Sequence, residues 1–187
     1  MPSPVGHTLG GLIVGLVGGR DSEVGNRRTL VWCAAAAVLP DLDFLWGRHN
    51  METHSLGAAV LAGLAVLAWT RGRSGRLAIL VTLAWASHVL FDWLGSDDTP
   101  PLGVMALWPL TSKFYFAYAY VFEAISRRTW LPNFWSHNVR AVAWEIAMLA
   151  PLAALAGWAR GWTWRRPAPS GSESREGEKG GTVADRD

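Results

Sequence analysis

Apolar residues run through most of the chain in six stretches that short polar breaks separate. The stretches cover residues 8–19, 29–39, 55–70, 77–94, 102–125 and 142–159. A helix needs about 20 mostly apolar residues to cross a bilayer, whereas runs of 10 to 14 are more often re-entrant or buried. The last four stretches are therefore the better candidates for spans. The pattern predicts an all-α, polytopic membrane bundle of four to six apolar helices. A soluble helical protein is the alternative, but few of the runs show a polar face.

The end of the chain has a different composition. Residues 166–187 are rich in Gly, Ser, Pro and charged residues and contain few bulky apolar ones. Such a segment cannot bury enough surface to order itself, so it predicts a disordered polar tail after a membrane domain of residues 1–165. No Lys or Arg precedes the first apolar stretch, and we therefore expect that stretch to be retained rather than cleaved as a signal peptide.

Composition narrows the classes of function. The 187 residues include 12 Trp and a single Cys, Cys33, and the formal net charge is +2. One cysteine excludes a disulfide framework and a Cys-based zinc module. The small net charge argues against a nucleic-acid partner, and nothing in the sequence indicates a protein partner. The expected partners are membrane lipid and a small-molecule or lipid-like substrate.

Basic residues cluster in alternate breaks between the apolar stretches. The three clusters are Arg20 with Arg27 and Arg28, Arg71 with Arg73 and Arg76, and Arg127 with Arg128 and Arg140. By the positive-inside rule all three face the cytoplasm. The breaks at residues 40–54 and 95–101 then lie outside. These positions predict a multi-pass protein of the inner (plasma) membrane.

Histidines and carboxylates concentrate near the predicted outer side. They are His7, Asp41, Asp43, His49, Glu52, His54, His88 and Asp92. Pro40 disfavours helix at the residue before it, so the second helix should end just before the first two carboxylates. His88 and Asp92 are four residues apart and share one helix face. Four segments distant in sequence could therefore meet at one end of the bundle.

Neutral imidazole and ionised carboxylate are the ligands that zinc and other first-row divalent ions prefer. Ionisable groups in or near a bilayer are costly and are usually paired or metal-bound. Taken singly, His88 and Asp92 could form a helical hydrogen bond, and Asp41 and Asp43 could cap a loop. Together they predict a divalent metal site, with zinc as the expected ion. His137 stands outside this pattern and is interpreted as interfacial.

The motifs GHTLGG, LPDLDFL, HNMETHS and HVLFD, in this order and spacing, resemble the membrane-bound metal-dependent hydrolases of bacteria and archaea, also known as LexA-regulated inner-membrane hydrolases. The resemblance covers residues 6–111. It implies a helical integral membrane protein with a metal-dependent hydrolase site at His7, Asp41, Asp43, His49, His54, His88 and Asp92. The family often has Arg after the first His of the third motif, whereas this chain has Asn50, so an anion-binding role at that position is in doubt.

A looser likeness, in ligand types and order alone, is to the helical zinc-dependent phospholipase C and nuclease enzymes. It suggests a phosphoester substrate. In the preferred hypothesis His54, His88 and Asp92 hold one ion and Asp41 holds or bridges it. His7 and Asp43 complete a second position.

The ion would lower the pKa of a bound water towards about 7 for attack on an ester or phosphoester. His49 or Glu52 would act as the base or proton shuttle. The alternatives are a metal-ion or proton transporter and a scaffold with a structural metal. On this reading the site lies on the extracytoplasmic side.

Overall fold

The computed structural model describes residues 1–19, 24–47, 49–97 and 100–164. The helices are α1 (Pro4–Gly18), α2 (Val24–Val38), α3 (Leu56–Trp69), α4 (Gly75–Trp93) and α5 (Phe134–Trp164). A 3₁₀ helix, Leu39–Trp46, joins α2 to α3. The described residues contain two isolated β-bridges and no strand, which confirms the all-α prediction. The predicted tail, residues 166–187, lies outside the described residues.

Local sequence fixes the helix ends at one end of the bundle. Ser3 caps α1, with its hydroxyl accepting a hydrogen bond from Gly6 N, and Pro4 follows at the first helical position. Ser55 caps α3 in the same way through Ala58 N. At Pro40 the α-helix has already given way to the 3₁₀ helix, as the sequence predicts. The helix ends that carry the predicted site residues are therefore well defined.

Small residues bring α1 close to α2. A Cβ atom at Gly11 would collide with the backbone oxygen of Cys33, and one at Gly15 would collide with the Leu30 side chain. Glycines spaced four residues apart on one helix face allow such a close approach. Below the site the bundle is filled by small apolar side chains of α2, α3 and α4, among them Cys33, Ala37 and Ala84.

Two helices are long and apolar enough to cross a membrane. Residues Gly75–Trp93 have a mean hydropathy of 1.2, and Phe134–Arg160 have one of 1.6. The prediction of four to six spanning helices is wrong in number for the described residues. Helices α1 and α3 are apolar but have only 15 and 14 residues, which is short for a span. Apolar side chains lie on the outside of the bundle, where Leu64 of α3, Leu83 of α4 and Leu152 of α5 are exposed.

The predicted helix at residues 102–125 does not form. Pro101 and Pro109 supply no backbone N–H, and Gly103 has a φ of 85°, so a helix cannot run through this region. Residues 94–97 and 100–133 instead fold over one end of the bundle. Val104 and Tyr115 exchange backbone hydrogen bonds of 2.9 and 2.8 Å. This cap is attached to α3 where Leu56 N donates to Ala106 O and Gly57 N donates to Trp108 O.

Candidate metal centre

Four segments meet beneath the cap. His7 lies in the first turn of α1, and Asp41 lies in the 3₁₀ helix. His54 directly precedes Ser55, the N-cap residue of α3, and His88 and Asp92 lie in the last two turns of α4. We name as the ligand cluster the residues His7, Asp41, His54, His88 and Asp92. Asp92 lies at its centre: its Oδ2 is 2.8 Å from His88 Nε2 and 3.4 Å from His54 Nε2, and its Oδ1 is 3.3 Å from His7 Nε2. Residues separated by 85 positions in sequence are thus brought into one small volume.

Several polar atoms of the ligand cluster are buried without hydrogen-bond partners. His7, His54, His88 and Asp92 are at most 2% exposed. Their Nε2 atoms and both oxygens of Asp92 have no hydrogen bond among the described residues, although they lie close to one another. The short distances therefore lack hydrogen-bond alignment. Unpartnered polar groups inside a protein are rare and costly, so a group of them at one place requires a physical explanation.

The other ring nitrogens of the two central histidines are held by the protein. His88 Nδ1 lies 2.8 Å from Ala37 O, so it donates a hydrogen bond to that carbonyl. His54 Nδ1 lies 3.1 Å from Asp43 Oδ2. Both contacts require a proton on Nδ1 and direct Nε2 into the ligand cluster. Metal-binding histidines are commonly oriented in this way by a carbonyl or carboxylate.

Asp43 holds a second layer of contacts outside the ligand cluster. Its Oδ1 accepts a hydrogen bond from His49 Nδ1 at 2.9 Å, and its Oδ2 accepts one from Thr53 Oγ1 at 2.8 Å. Together with the contact from His54, these occupy both carboxylate oxygens. His49, Asp43 and His54 can also be grouped as metal ligands by distance alone. The geometry thus allows two roles for Asp43: it can bind a metal ion, or it can orient the His54 imidazole.

The charges of this region are coupled. Burial alone would lower the pKa of His54, but contacts with Asp41 and Asp43 outweigh burial and raise that pKa to about 9. Burial would raise the pKa of the Asp41 carboxyl, but contact with His54 outweighs burial and holds that pKa below its ordinary value. Contacts with His49 and then with His54 lower the pKa of Asp43 against burial in the same way.

Asp41 is the member of the ligand cluster that reaches solvent. Its side chain is 19% exposed, whereas those of the other four are at most 1% exposed. Its Oδ1 lies 3.7 Å from His54 Nε2 and 3.9 Å from His88 Nε2. The cluster is therefore closed by protein on the side of α1 and α4 and opens beside Asp41.

Arg127 lies on the same side as the site, which corrects the predicted topology. Its Nη2 donates to His49 Nε2 at 3.1 Å, and its guanidinium lies over the Phe44 ring, 3.7 Å from the centroid. The sequence placed Arg127 and Arg128 on the opposite, cytoplasmic side, because it assumed a helix at residues 102–125. Without that helix the chain does not cross the bundle there, and these arginines stay at the site.

Two predicted residues lie apart from the ligand cluster. Among the described residues, the groups with metal-ligand spacing do not include Glu52, which lies in the turn before α3. His137 lies in the first turn of α5, where its Nε2 contacts Ala124 O at 2.7 Å. The structure therefore keeps His137 outside the site, as the sequence indicated. Arg20 of the first basic cluster lies outside the described residues.

Glu145 was missed by the sequence analysis. This α5 carboxylate is fully buried and accepts hydrogen bonds from Ser3 N at 2.7 Å and from the Ser3 hydroxyl. His7 N in turn donates to Ser3 O at 3.1 Å. Glu145 thus fixes the first turn of α1, from which His7 projects. A charged residue inside an apolar run was the available signal, since such residues are rarely tolerated without a role.

Comparison with known proteins identifies the family. The chain matches the family model described as YdjM inner membrane protein over residues 1–163. No curated protein and no solved structure was found to match it. The match agrees with the LexA-regulated inner-membrane part of the resemblance, while metal dependence and hydrolysis stay predictions. Because the matched region contains the ligand cluster, the cap and nearly all of α5, the chain belongs to the YdjM inner membrane protein family.

Proposed function

We propose that this protein is a metal-dependent hydrolase of the inner membrane whose divalent ion is held by four members of the ligand cluster, His7, His54, His88 and Asp92. One observation carries the proposal: three imidazole Nε2 atoms and a carboxylate converge in full burial without hydrogen bonds to one another. A cation with nitrogen and oxygen ligands would satisfy all of these atoms at once. The donor set suits zinc, the ion we propose.

The protein's own residues support specific roles. His54, His88 and Asp92 are the proposed ligands, and His7 lies beside Asp92 to complete the set. Ala37 O and Asp43 hold the two central imidazoles in the tautomer that a metal requires. We therefore assign Asp43 to orienting His54 rather than to binding the ion.

When bound, the ion would polarise the scissile bond and make water a better nucleophile. Asp41 is the proposed proton acceptor, because it is the partly exposed carboxylate at the opening of the cluster. His49 was the earlier candidate for this role. Its Nδ1 donates to Asp43 and its Nε2 accepts from Arg127, so both nitrogens already have hydrogen-bond partners. His49 is better suited to position Asp43 than to move protons.

Two observations favour a hydrolase over the alternatives. A carrier needs access from both ends, but the apolar core around Cys33, Ala37 and Ala84 lies between the ligand cluster and the far end. A structural metal site is saturated by protein ligands. Here the partial exposure of Asp41 supports an open side at which water and substrate can enter.

The proposed site faces the extracytoplasmic side. At the end of the bundle opposite the cap lie Arg27, Arg28, Arg71, Arg73, Arg76 and Arg160. The capped end has Lys113, Arg127, Arg128 and Arg140. The excess of basic residues away from the site supports a cytoplasmic far end by the positive-inside rule. Exposed Trp130 and Trp135 near the capped end suit an interfacial depth.

Metal analysis of the detergent-purified full chain tests the proposal. We expect close to stoichiometric zinc in the natural protein and in His137→Ala, whose altered histidine lies outside the cluster. His88→Ala should lose the metal while remaining in the membrane fraction. Hydrolysis of generic esters and phosphoesters should be lost in the same variant. Equal metal content in all three proteins would overturn the proposed site.

A further inference from the structure

A cavity of about 310 Å³ adjoins the proposed metal site. His49 connects the cavity to the ligand cluster. It lines the cavity, and its Nδ1 donates a hydrogen bond to Asp43, which contacts His54. The cavity is also lined by Arg127 and Arg128. A molecule in the cavity would therefore contact His49, which is linked through Asp43 to His54 of the ligand cluster.

Two arginines and one carboxylate line the cavity among the residues that the structure describes. They are Arg127, Arg128 and Asp97, whose Oδ2 accepts a hydrogen bond from Gly103 N at 3.0 Å. A guanidinium carries five N–H donors in a planar fork that pairs with two oxygens of an anion. The contact between Arg127 and His49 uses one of those donors. Stacking on Phe44 also fixes the plane of the Arg127 guanidinium, which prepares it for an anion.

The rest of the wall is apolar. Pro100, Pro101, Ile125 and Trp130 line the cavity beside the two arginines. Trp130 is 76% exposed, and exposed indoles settle at the depth of lipid headgroups. The cavity therefore combines a two-arginine anion site with an apolar surface at the membrane interface.

We propose that this cavity binds the phosphate group of a membrane lipid and presents its ester to the ligand cluster. Arg127 and Arg128 pair with the phosphate oxygens, and the apolar wall contacts the hydrophobic part. A phosphate monoester carries close to two negative charges and three strong acceptor oxygens, which match two guanidinium groups better than a carboxylate does. The reaction rests on the proposed function, but the binding step does not.

Binding of a short-chain phosphatidic acid to the full chain in detergent, after metal removal by a chelator, tests the proposal without turnover. Calorimetry should give at least tenfold weaker binding for Arg127→Gln and for Arg128→Gln. Arg128→Gln keeps the contact between Arg127 and His49, so it tests the cavity even if the other variant fails to fold. Arg140→Gln is the matched control, because Arg140 pairs with Glu123 outside the cavity, and should change binding less than twofold.

Two further probes identify the ligand chemistry. Inorganic phosphate should bind at least tenfold more weakly than the lipid because it lacks the apolar part. Equal binding would contradict a lipid as the ligand. Hexanoate should also bind at least tenfold more weakly than the lipid, and equal binding would contradict recognition of a phosphate group. Equal lipid binding by all arginine variants would overturn the cavity assignment.

Metal content separates this inference from the proposed function. If the arginine variants lose lipid binding while the natural protein holds no metal, the lipid site stands and the hydrolase fails. If metal is present and all variants bind lipid equally, the metal centre stands and the lipid site fails.

Discussion

The two ends of the bundle satisfy their polar groups in different ways. At the far end, Arg76 Nε donates to Gly18 O at 2.8 Å, and Arg160 Nη1 lies 3.2 Å from both Gly15 O and Leu16 O. These arginines therefore donate to carbonyls in the last turn of α1, among which Gly15 O also accepts a hydrogen bond from Gly19 N at 2.9 Å. At the capped end, His7 and Asp92 face each other in full burial without a hydrogen bond.

This difference is the reason for placing the proposed ion at the capped end. Polar groups in an apolar bundle must find partners within the protein, since lipid offers none. The carbonyls named at the far end have side-chain partners. Under the proposed function the groups at the capped end have a bound ion as their partner, and the following changes test that contrast from the largest expected effect to the smallest.

Asp92→Asn should abolish the dependence of stability on zinc. The natural protein should gain about 2.7 kcal/mol of stability at a zinc concentration 100 times its Kd. The variant should gain close to nothing, because the carboxylate that touches three imidazoles loses its charge. Thermal unfolding in detergent with and without zinc measures this. His137→Ala is the control and should keep the full gain; a zinc-dependent gain in Asp92→Asn would remove Asp92 from the site.

Asp43→Asn should weaken zinc binding by about 10-fold to 100-fold without abolishing it. Residues that orient metal ligands typically have effects of this size. Competition with a chelator of known affinity gives the Kd. A loss as complete as that in Asp92→Asn would instead make Asp43 a ligand, as the sequence first suggested.

Glu145→Gln should destabilise the protein by about 1–3 kcal/mol, because a buried hydrogen-bonded carboxylate is replaced by a group that cannot accept both bonds from Ser3. The unfolding temperature in detergent should fall with or without zinc. Glu123→Gln removes a surface partner of Arg140 and should cost less than about 1 kcal/mol. Similar losses in the two variants would show that Glu145 contributes no more than a surface pair.

Arg76→Ala should have the smallest effect, a loss of at most about 1 kcal/mol from the end of α1. Zinc affinity should be unchanged, because the altered contact lies at the opposite end of the bundle from the ligand cluster. A tenfold change in zinc affinity would mean that the two ends are coupled, contrary to the comparison above.

Local patterns in the sequence predicted much of the site. The spacing of His88 and Asp92 indicates a shared helix face, and Pro40 indicates a helix end beside the carboxylates. Both inferences need only a few neighbouring residues. The meeting of four segments also followed from alternating helix directions, although the number of spanning helices was overestimated from run lengths.

Contacts across long stretches of sequence were not predictable in this way. Glu145 and Ser3 are 142 positions apart, and Arg127 and His49 are 78 apart. Neither pair has a local signature, since partner choice depends on how α5 and the cap pack. The predicted side of Arg127 is wrong because it depends on a helix at residues 102–125. Hydrophobicity alone predicts that helix, although the segment is aromatic and bounded by prolines.

The partial exposure of Asp41 also bears on rates. Among the described members of the ligand cluster, its side chain is the one that both solvent and the buried imidazoles reach. Exchange of an ion, a proton or a product with the surroundings would therefore pass this carboxylate. A bulkier residue at this position would slow both the entry and the departure of these species. The location of Asp41 would therefore set how long an ion or product stays bound, rather than the fraction bound at equilibrium.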